Sequence, residues 1–219
     1  MKHALASLWI WLKAWYYYNR SYLALRYRRH YSPLQATMLA VNGLLSSREA
    51  ILLHDLAKEA RGGCIVEIGS FHGRSTIAMA IGSQAGNKAA VYAVDPYLQF
   101  VGPLGGTFGP QDKAGLLKNL ILTGTAAAVW LLQLPSIQAA SSWQEPIALL
   151  WIDGDHNYEG VKADFEAWTP WVIPGGVIAF HDSLDPHLGP HKLIKEIITT
   201  GTFEQIVVVG KITLIKKVS

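Results

Sequence analysis

The feature that most constrains this chain is a repeated device: a short apolar run stops at acidic or histidine side chains, and a stretch with helical patterning follows. "CIVEIGSFHG" carries Glu67 near its end, "VYAVDP" Asp95, "IALLWIDGDH" Asp153, Asp155 and His156, and "GVIAFHD" His181 and Asp182. Short apolar runs that do not alternate with polar residues suit strands buried on both faces. Strands that take turns with helices build a parallel sheet covered on each side, and ligands then bind beyond the carboxyl ends of the strands. Four such ends rich in carboxylate and imidazole suggest one site assembled from four places.

The pattern predicts strands over 64–69, 90–95, 128–134, 147–153 and 177–181, with helical pieces over 75–81, 113–122, 136–142, 158–171 and 193–199. "EQIVVVG" and "KITLIKK" then close as a hairpin around Gly210 and Lys211, which makes the last strand antiparallel to its neighbour. Upstream, 35–58 reads as a helix, a turn and a second helix capped by Ser46 or Ser47. The glycine- and proline-rich stretch 101–111 is the one long loop, a candidate lid and acceptor contact. The division expected is an N-terminal helical extension over 1–60 and an α/β domain over 61–219.

Charge is unevenly placed. Of the 19 Lys and Arg, seven fall at or before Arg48, where no Asp or Glu occurs, leaving 12 against all 16 acidic residues. The domain is therefore mildly acidic, which argues against a nucleic-acid partner. The apolar stretch 4–12 is too short to span a bilayer. Leu5, Leu8, Trp9, Leu12, Trp15 and Tyr16 share a helical face, with Arg nearby. Two readings stay open for this amphipathic helix: packing on the domain or in a homodimer seam, and peripheral contact with a membrane. The lone Cys64 reads as a small buried residue and suits a cytoplasmic, reducing compartment.

"VEIGSFHGRSTIAMA" sets Gly69 and Gly73 between a strand and a helix, where backbone can approach a ligand and the helix offers unpaired N–H groups. The stretch has neither the dinucleotide nor the phosphate-loop spacing. Glu67 would repel a pyrophosphate and attract an ammonium group, and Asp95 can accept from both hydroxyls of a ribose. A ligand with an amino-acid part and a ribose meets both demands.

Those residues, with Asp153-Gly-Asp-His and "PGGVIAFHD", resemble class I S-adenosylmethionine-dependent methyltransferases, in particular the macrocin and sugar O-methyltransferase and cephalosporin-hydroxylase-like branch. The likeness runs from about Gly62 to Gly210. It implies a Rossmann-like seven-stranded sheet of order 3-2-1-4-5-7-6 with strand seven antiparallel and helices on both faces. It also implies that Glu67, Gly69, Ser70, Gly73 and Ser75 line the methionine end of S-adenosyl-L-methionine, Asp95 its ribose and Ser136 its adenine.

By the same resemblance, Asp153, His181 and Asp182 would hold a divalent cation, Mg²⁺ or Mn²⁺, and His156 would act as base beside the catalytic Asp153. His181 stands where the branch usually has an acid, which lowers the negative charge of the site and also permits catalysis without metal. The expected activity is O-methylation of a small-molecule, sugar or glycan hydroxyl. A hydroxylase-like enzyme on the same fold, and a non-catalytic cofactor-binding or membrane-tethered module, remain as alternatives. Asp155 is expected to serve a structural or cap-like role.

Overall fold

The computed structural model describes residues 32–102 and 106–218. The amphipathic helix, the membrane contact and the dimer seam expected of the first residues fall on 1–31, outside the described residues. Two helices come first, α1 (Pro33–Ala40) and α2 (Ser47–Glu59). There follow β1 (Cys64–Ile68), α3 (Arg74–Ala85), β2 (Val91–Val94), the short β3 (Phe100–Val101) and β4 (Thr107–Phe108), α4 (Pro110–Thr123) and β5 (Val129–Leu132). The remainder is α5 (Ser136–Ser141), β6 (Ile147–Ile152), α6 (Tyr158–Trp168), β7 (Val172–Phe180), α7 (Gly189–Thr199), β8 (Phe203–Val209) and β9 (Ile212–Lys217).

Seven strands form one sheet in the order β5-β2-β1-β6-β7-β9-β8. The first five in that order run parallel, and β9 is antiparallel to both β7 and β8. With the small β3–β4 hairpin set aside, this is the expected order and the expected antiparallel seventh strand. The chain leaves β1 towards β2 and β5 on one side and returns to β6 on the other. The crevice of this fold therefore opens past the ends of β1 and β6, where Glu67 and Asp153 stand.

Successive side chains of β6 serve opposite layers, which is why its sequence is apolar without alternation. Leu149 and Trp151 join Leu53, Ile77 and Leu116 on one face, whereas Leu150 and Ile152 join Val161, Leu193 and Ile197 on the other. Helices α2 and α3 lie close together: a Cβ on Gly82 would be 2.0 Å from the His54 carbonyl oxygen, and one on Gly86 2.1 Å from that of Lys58. Ser46 caps α2 and shares a capping box with Glu49.

Three boundaries differ from the sequence pattern. β7 starts at Val172, well before the expected 177, because Ile147 already pairs with Val172. The ladder resumes at Leu149 and Val177, so Pro174, Gly175 and Gly176 bulge out without ending the strand. The α-helix of α6 stops at Trp168, and a 3₁₀ turn, Thr169–Trp171, completes the stretch. The long loop holds the β3–β4 hairpin, and α4 starts at Pro110, which its fixed φ favours at a first helical turn. Residues 103–105 of that loop lie outside the described residues.

Candidate functional site

Backbone strain marks the place. Among the described residues, four non-glycine residues have positive φ, and three of them, Phe71 (47°), Tyr97 (51°) and Asp182 (47°), stand just past β1, β2 and β7. Such conformations cost about 1–3 kcal/mol each and tend to gather at functional sites.

The glycine loop after β1 is tied down from several directions. Gly69 (φ +87°) has no room for a side chain, because a Cβ would lie 2.3 Å from the Asp153 carbonyl oxygen. The loop thus rests directly on the backbone that carries the second acidic cluster. Asp95 Oδ2 accepts from the Ser70 and Phe71 N–H groups at 3.0 and 3.1 Å, and its Oδ1 accepts from the Tyr97 N–H at 2.9 Å. Tyr97 closes the circuit by donating its hydroxyl to the Phe71 carbonyl at 3.2 Å. Asp95 is therefore a clamp on the loop, half-buried, with room at Oδ1 for one further hydrogen bond from a ligand.

Glu67 is fully buried and accepts from the Ser75 and Thr76 hydroxyls in the first turn of α3. Burial pushes its carboxyl up to about 8, against the lowering effect of those hydroxyls. The buried Ser70 hydroxyl has no hydrogen-bond partner among the described groups. Gly73, also in the left-handed region, caps α3 beneath Leu116. Ser136 opens α5 and accepts from the Trp168 indole N–H at 2.8 Å, close to the buried Asp164, whose carboxyl burial pushes up to about 6. His72 Nε2 lies 2.9 Å from Asp112 Oδ1, which ties the loop to the first turn of α4.

Past β6 and β7 the structure brings together the four residues expected there. His181 Nδ1 lies 3.0 Å from Asp153 Oδ1 and 3.4 Å from Asp182 Oδ2, and His156 Nε2 lies 3.0 Å from the same Asp182 oxygen. A carboxylate only accepts, so His156 carries its proton on Nε2 and leaves Nδ1 as the acceptor. The Asp182 hydrogen bond raises the His156 pKa above 6.5, with burial opposing. For His181, burial pulls down, but the two carboxylates outweigh it and lift the imidazole to about 10. Asp182 is pushed up by burial, yet the hydrogen bonds from His156, His181 and Lys211 hold it well below the usual carboxylate range. Asp155 accepts from the Asn157 N–H and side-chain amide at 2.8 and 2.9 Å, a local structural contact just ahead of α6, whose N-cap, Asn157, makes no side-chain cap bond.

Asp153, His181 and Asp182 each offer a ligand atom within 4.8 Å of the others, a group that could hold an ion. The fit to a cation is poor as these atoms stand. His181 Nδ1 points a proton, not a lone pair, at both carboxylates, and the other Asp182 oxygen, Oδ1, accepts from Lys211 Nζ at 2.9 Å. Lys211 is the site residue that the sequence pattern did not reveal. It sits in a hairpin turn with no local motif.

Comparison with known proteins bears on the fold and the family. The chain matches the O-methyltransferase from Bacillus cereus solved in complex with S-adenosylhomocysteine at TM-score 0.64 and 18% identity, over 86% of this chain and 92% of that one. It matches the O-methyltransferase of tomaymycin synthesis from Streptomyces achromogenes, solved with S-adenosylmethionine, at 0.60 and 18%, over 80% and 82%. A TDP-rhamnose 3′-O-methyltransferase of calicheamicin biosynthesis matches at 0.57 and 19%, over 76% and 78%. An uncharacterized protein of Sinorhizobium fredii is 51% identical over 37 residues, 17% of this chain and 4% of that protein's length. Residues 66–183, more than half of the chain, match the family model described as a methyltransferase domain (Methyltransf_24), and the chain belongs to that family.

Proposed function

We propose that this protein is an S-adenosylmethionine-dependent O-methyltransferase whose acceptor is a hydroxyl of a small molecule, sugar or glycan. The observation that carries the reading is the contact between the two halves of the site: the glycine loop rests on the Asp153 backbone, and the His156–Asp182 pair stands beyond it. The residues fit the cofactor. A fully buried carboxyl pushed up to about 8 gains most from a cationic partner, which suits Glu67 to an ammonium group, and Asp95 keeps acceptor capacity for one hydroxyl. When bound, S-adenosylmethionine supplies a methyl group on a sulfonium, ready for in-line displacement.

The protein's share is to orient the acceptor and remove its proton. His156 Nδ1 would take the hydroxyl proton as the acceptor oxygen attacks; S-adenosylmethionine would supply the methyl group, with the electrons of the carbon–sulfur bond left on sulfur. Asp182 fixes the tautomer of His156 and stabilises the imidazolium that forms. Asp153, His181 and Asp182 fit a divalent cation poorly, and proton removal by His156 needs none. The sugar methyltransferase among the structural neighbours supports a glycosyl acceptor for the same fold.

Titration calorimetry with S-adenosylhomocysteine tests the reading. Binding in the micromolar range is expected, lost in Asp95→Ala. With an acceptor in hand, His156→Ala should lower kcat by about 10²–10⁴-fold while leaving cofactor binding intact. A folded wild-type chain that binds no S-adenosylhomocysteine would sink the proposal.

A further inference from the structure

Lys211 is held in place more firmly than a hairpin-turn residue requires. Its N–H donates to Glu49 Oε1 at 2.7 Å, and its carbonyl accepts from the Ser183 N–H at 3.1 Å and the Ser183 hydroxyl at 2.9 Å. Glu49 is itself buried and locked to Ser46 at the start of α2. The preceding Gly210 (φ +60°) leaves no room for a Cβ, which would lie 2.4 Å from Glu49 Oε1. Two separate parts of the fold, the start of α2 and the turn after β7, thus fix one backbone unit. The result is an ammonium delivered to Asp182 Oδ1 at 2.9 Å, although the lysine side chain is 58% exposed and the aspartate only 10%.

We propose that Lys211 is the built-in counter-ion of the Asp153–His181–Asp182 group, a positioning residue standing where a divalent cation would otherwise act. Two carboxylates would neutralise a dication, but here an ammonium already balances one of them. His181 directs its Nδ1–H towards both carboxylates, so the third ligand atom presents a proton to the place an ion would occupy. With Oδ1 on Lys211, Asp182 keeps Oδ2 for His156 at 3.0 Å. The lysine therefore orients the carboxylate that orients the base. The catalytic role of this arrangement rests on the methyltransferase reading; the occupancy of the acidic group by Lys211 does not.

The test is titration of the full chain with Mn²⁺ alone, reading the free ion by electron paramagnetic resonance. The wild type and Lys211→Arg should bind no Mn²⁺ at this group up to about 1 mM, while Lys211→Met should gain a site at least about tenfold tighter. Adding Asp153→Asn to Lys211→Met should remove that site. Equal Mn²⁺ binding by the wild type and Lys211→Met, or no gain in a folded Lys211→Met, overturns the proposal. Should Lys211→Met fail to fold, the wild type still decides. A thermal midpoint and S-adenosylhomocysteine affinity unchanged by EDTA or added Mn²⁺ support the lysine, and a rise in either with Mn²⁺ overturns it. S-adenosylhomocysteine binding in metal-free samples separates the two readings: its loss sinks the methyltransferase and leaves the Mn²⁺ result standing.

Discussion

Replacing Glu67 with Gln should stabilise the ligand-free protein at alkaline pH and at the same time cripple it for cofactor. The folded state keeps a proton on this buried carboxyl up to about 8, whereas the unfolded chain releases it near 4.5. The folded state thus binds more protons between those values, so its contribution to stability is full below about 4.5 and is lost as pH rises through about 8. Moving a carboxyl from 4.5 to about 8 corresponds to roughly 5 kcal/mol at about 1.36 kcal/mol per pH unit. Relaxation and water entry return part of any buried-charge cost, so about 2 kcal/mol is expected. For a chain of this size that is a change of about 4–8 °C in Tm. Circular dichroism melts of wild type and Glu67→Gln from pH 5 to pH 9 read the effect as a difference, which cancels groups common to both. The variant should gain on the wild type as pH rises. Calorimetry adds a second signature: at pH 7, S-adenosylhomocysteine binding to the wild type should release a proton from Glu67, seen as a buffer-dependent heat absent in the variant. A difference in Tm that does not change with pH would refute the reasoning.

Gly69→Ala combines a positive φ with a Cβ 2.3 Å from a carbonyl oxygen, and should abolish S-adenosylhomocysteine binding in calorimetry even where the chain still folds. Asp182→Asn strips His156, His181 and Lys211 of a shared anion and should cost about 3 kcal/mol in urea unfolding; a loss below about 1 kcal/mol would contradict the network. Gly82→Ala should cost about 2–3 kcal/mol by forcing α2 off α3, a change that hydrogen exchange would localise to those two helices.

The strands were legible because burial on both faces leaves them as apolar runs, and Asp153, His156, His181 and Asp182 were legible because each ends such a run. The order of the strands came from the family resemblance, since periodicity alone does not say which neighbours pair. Pro174-Gly175-Gly176 misled because a bulge and a turn use the same residues. Glu67 and Asp95 were read for what they offer a ligand; the structure shows first what they do for the loop, with Ser75, Thr76 and three backbone N–H groups as partners. Lys211 had no signal at all. Its backbone partner, Glu49, is 162 positions away, and no local pattern encodes a contact of that range.

Local opening of the sheet follows from where β9 lies. In the sheet it sits between β7 and β8, and among the described residues β8 pairs with no other strand. The β8–β9 hairpin is therefore attached to the rest of the sheet through the β7–β9 ladder, and can open as one unit. Such an opening would bare the edge of β7 beside the exposed Ile206, Val207 and Val208, an edge able to pair with another chain. Lys211 joins the two strands, so the same event would carry its ammonium away from Asp182: one opening both exposes an edge and dismantles the site.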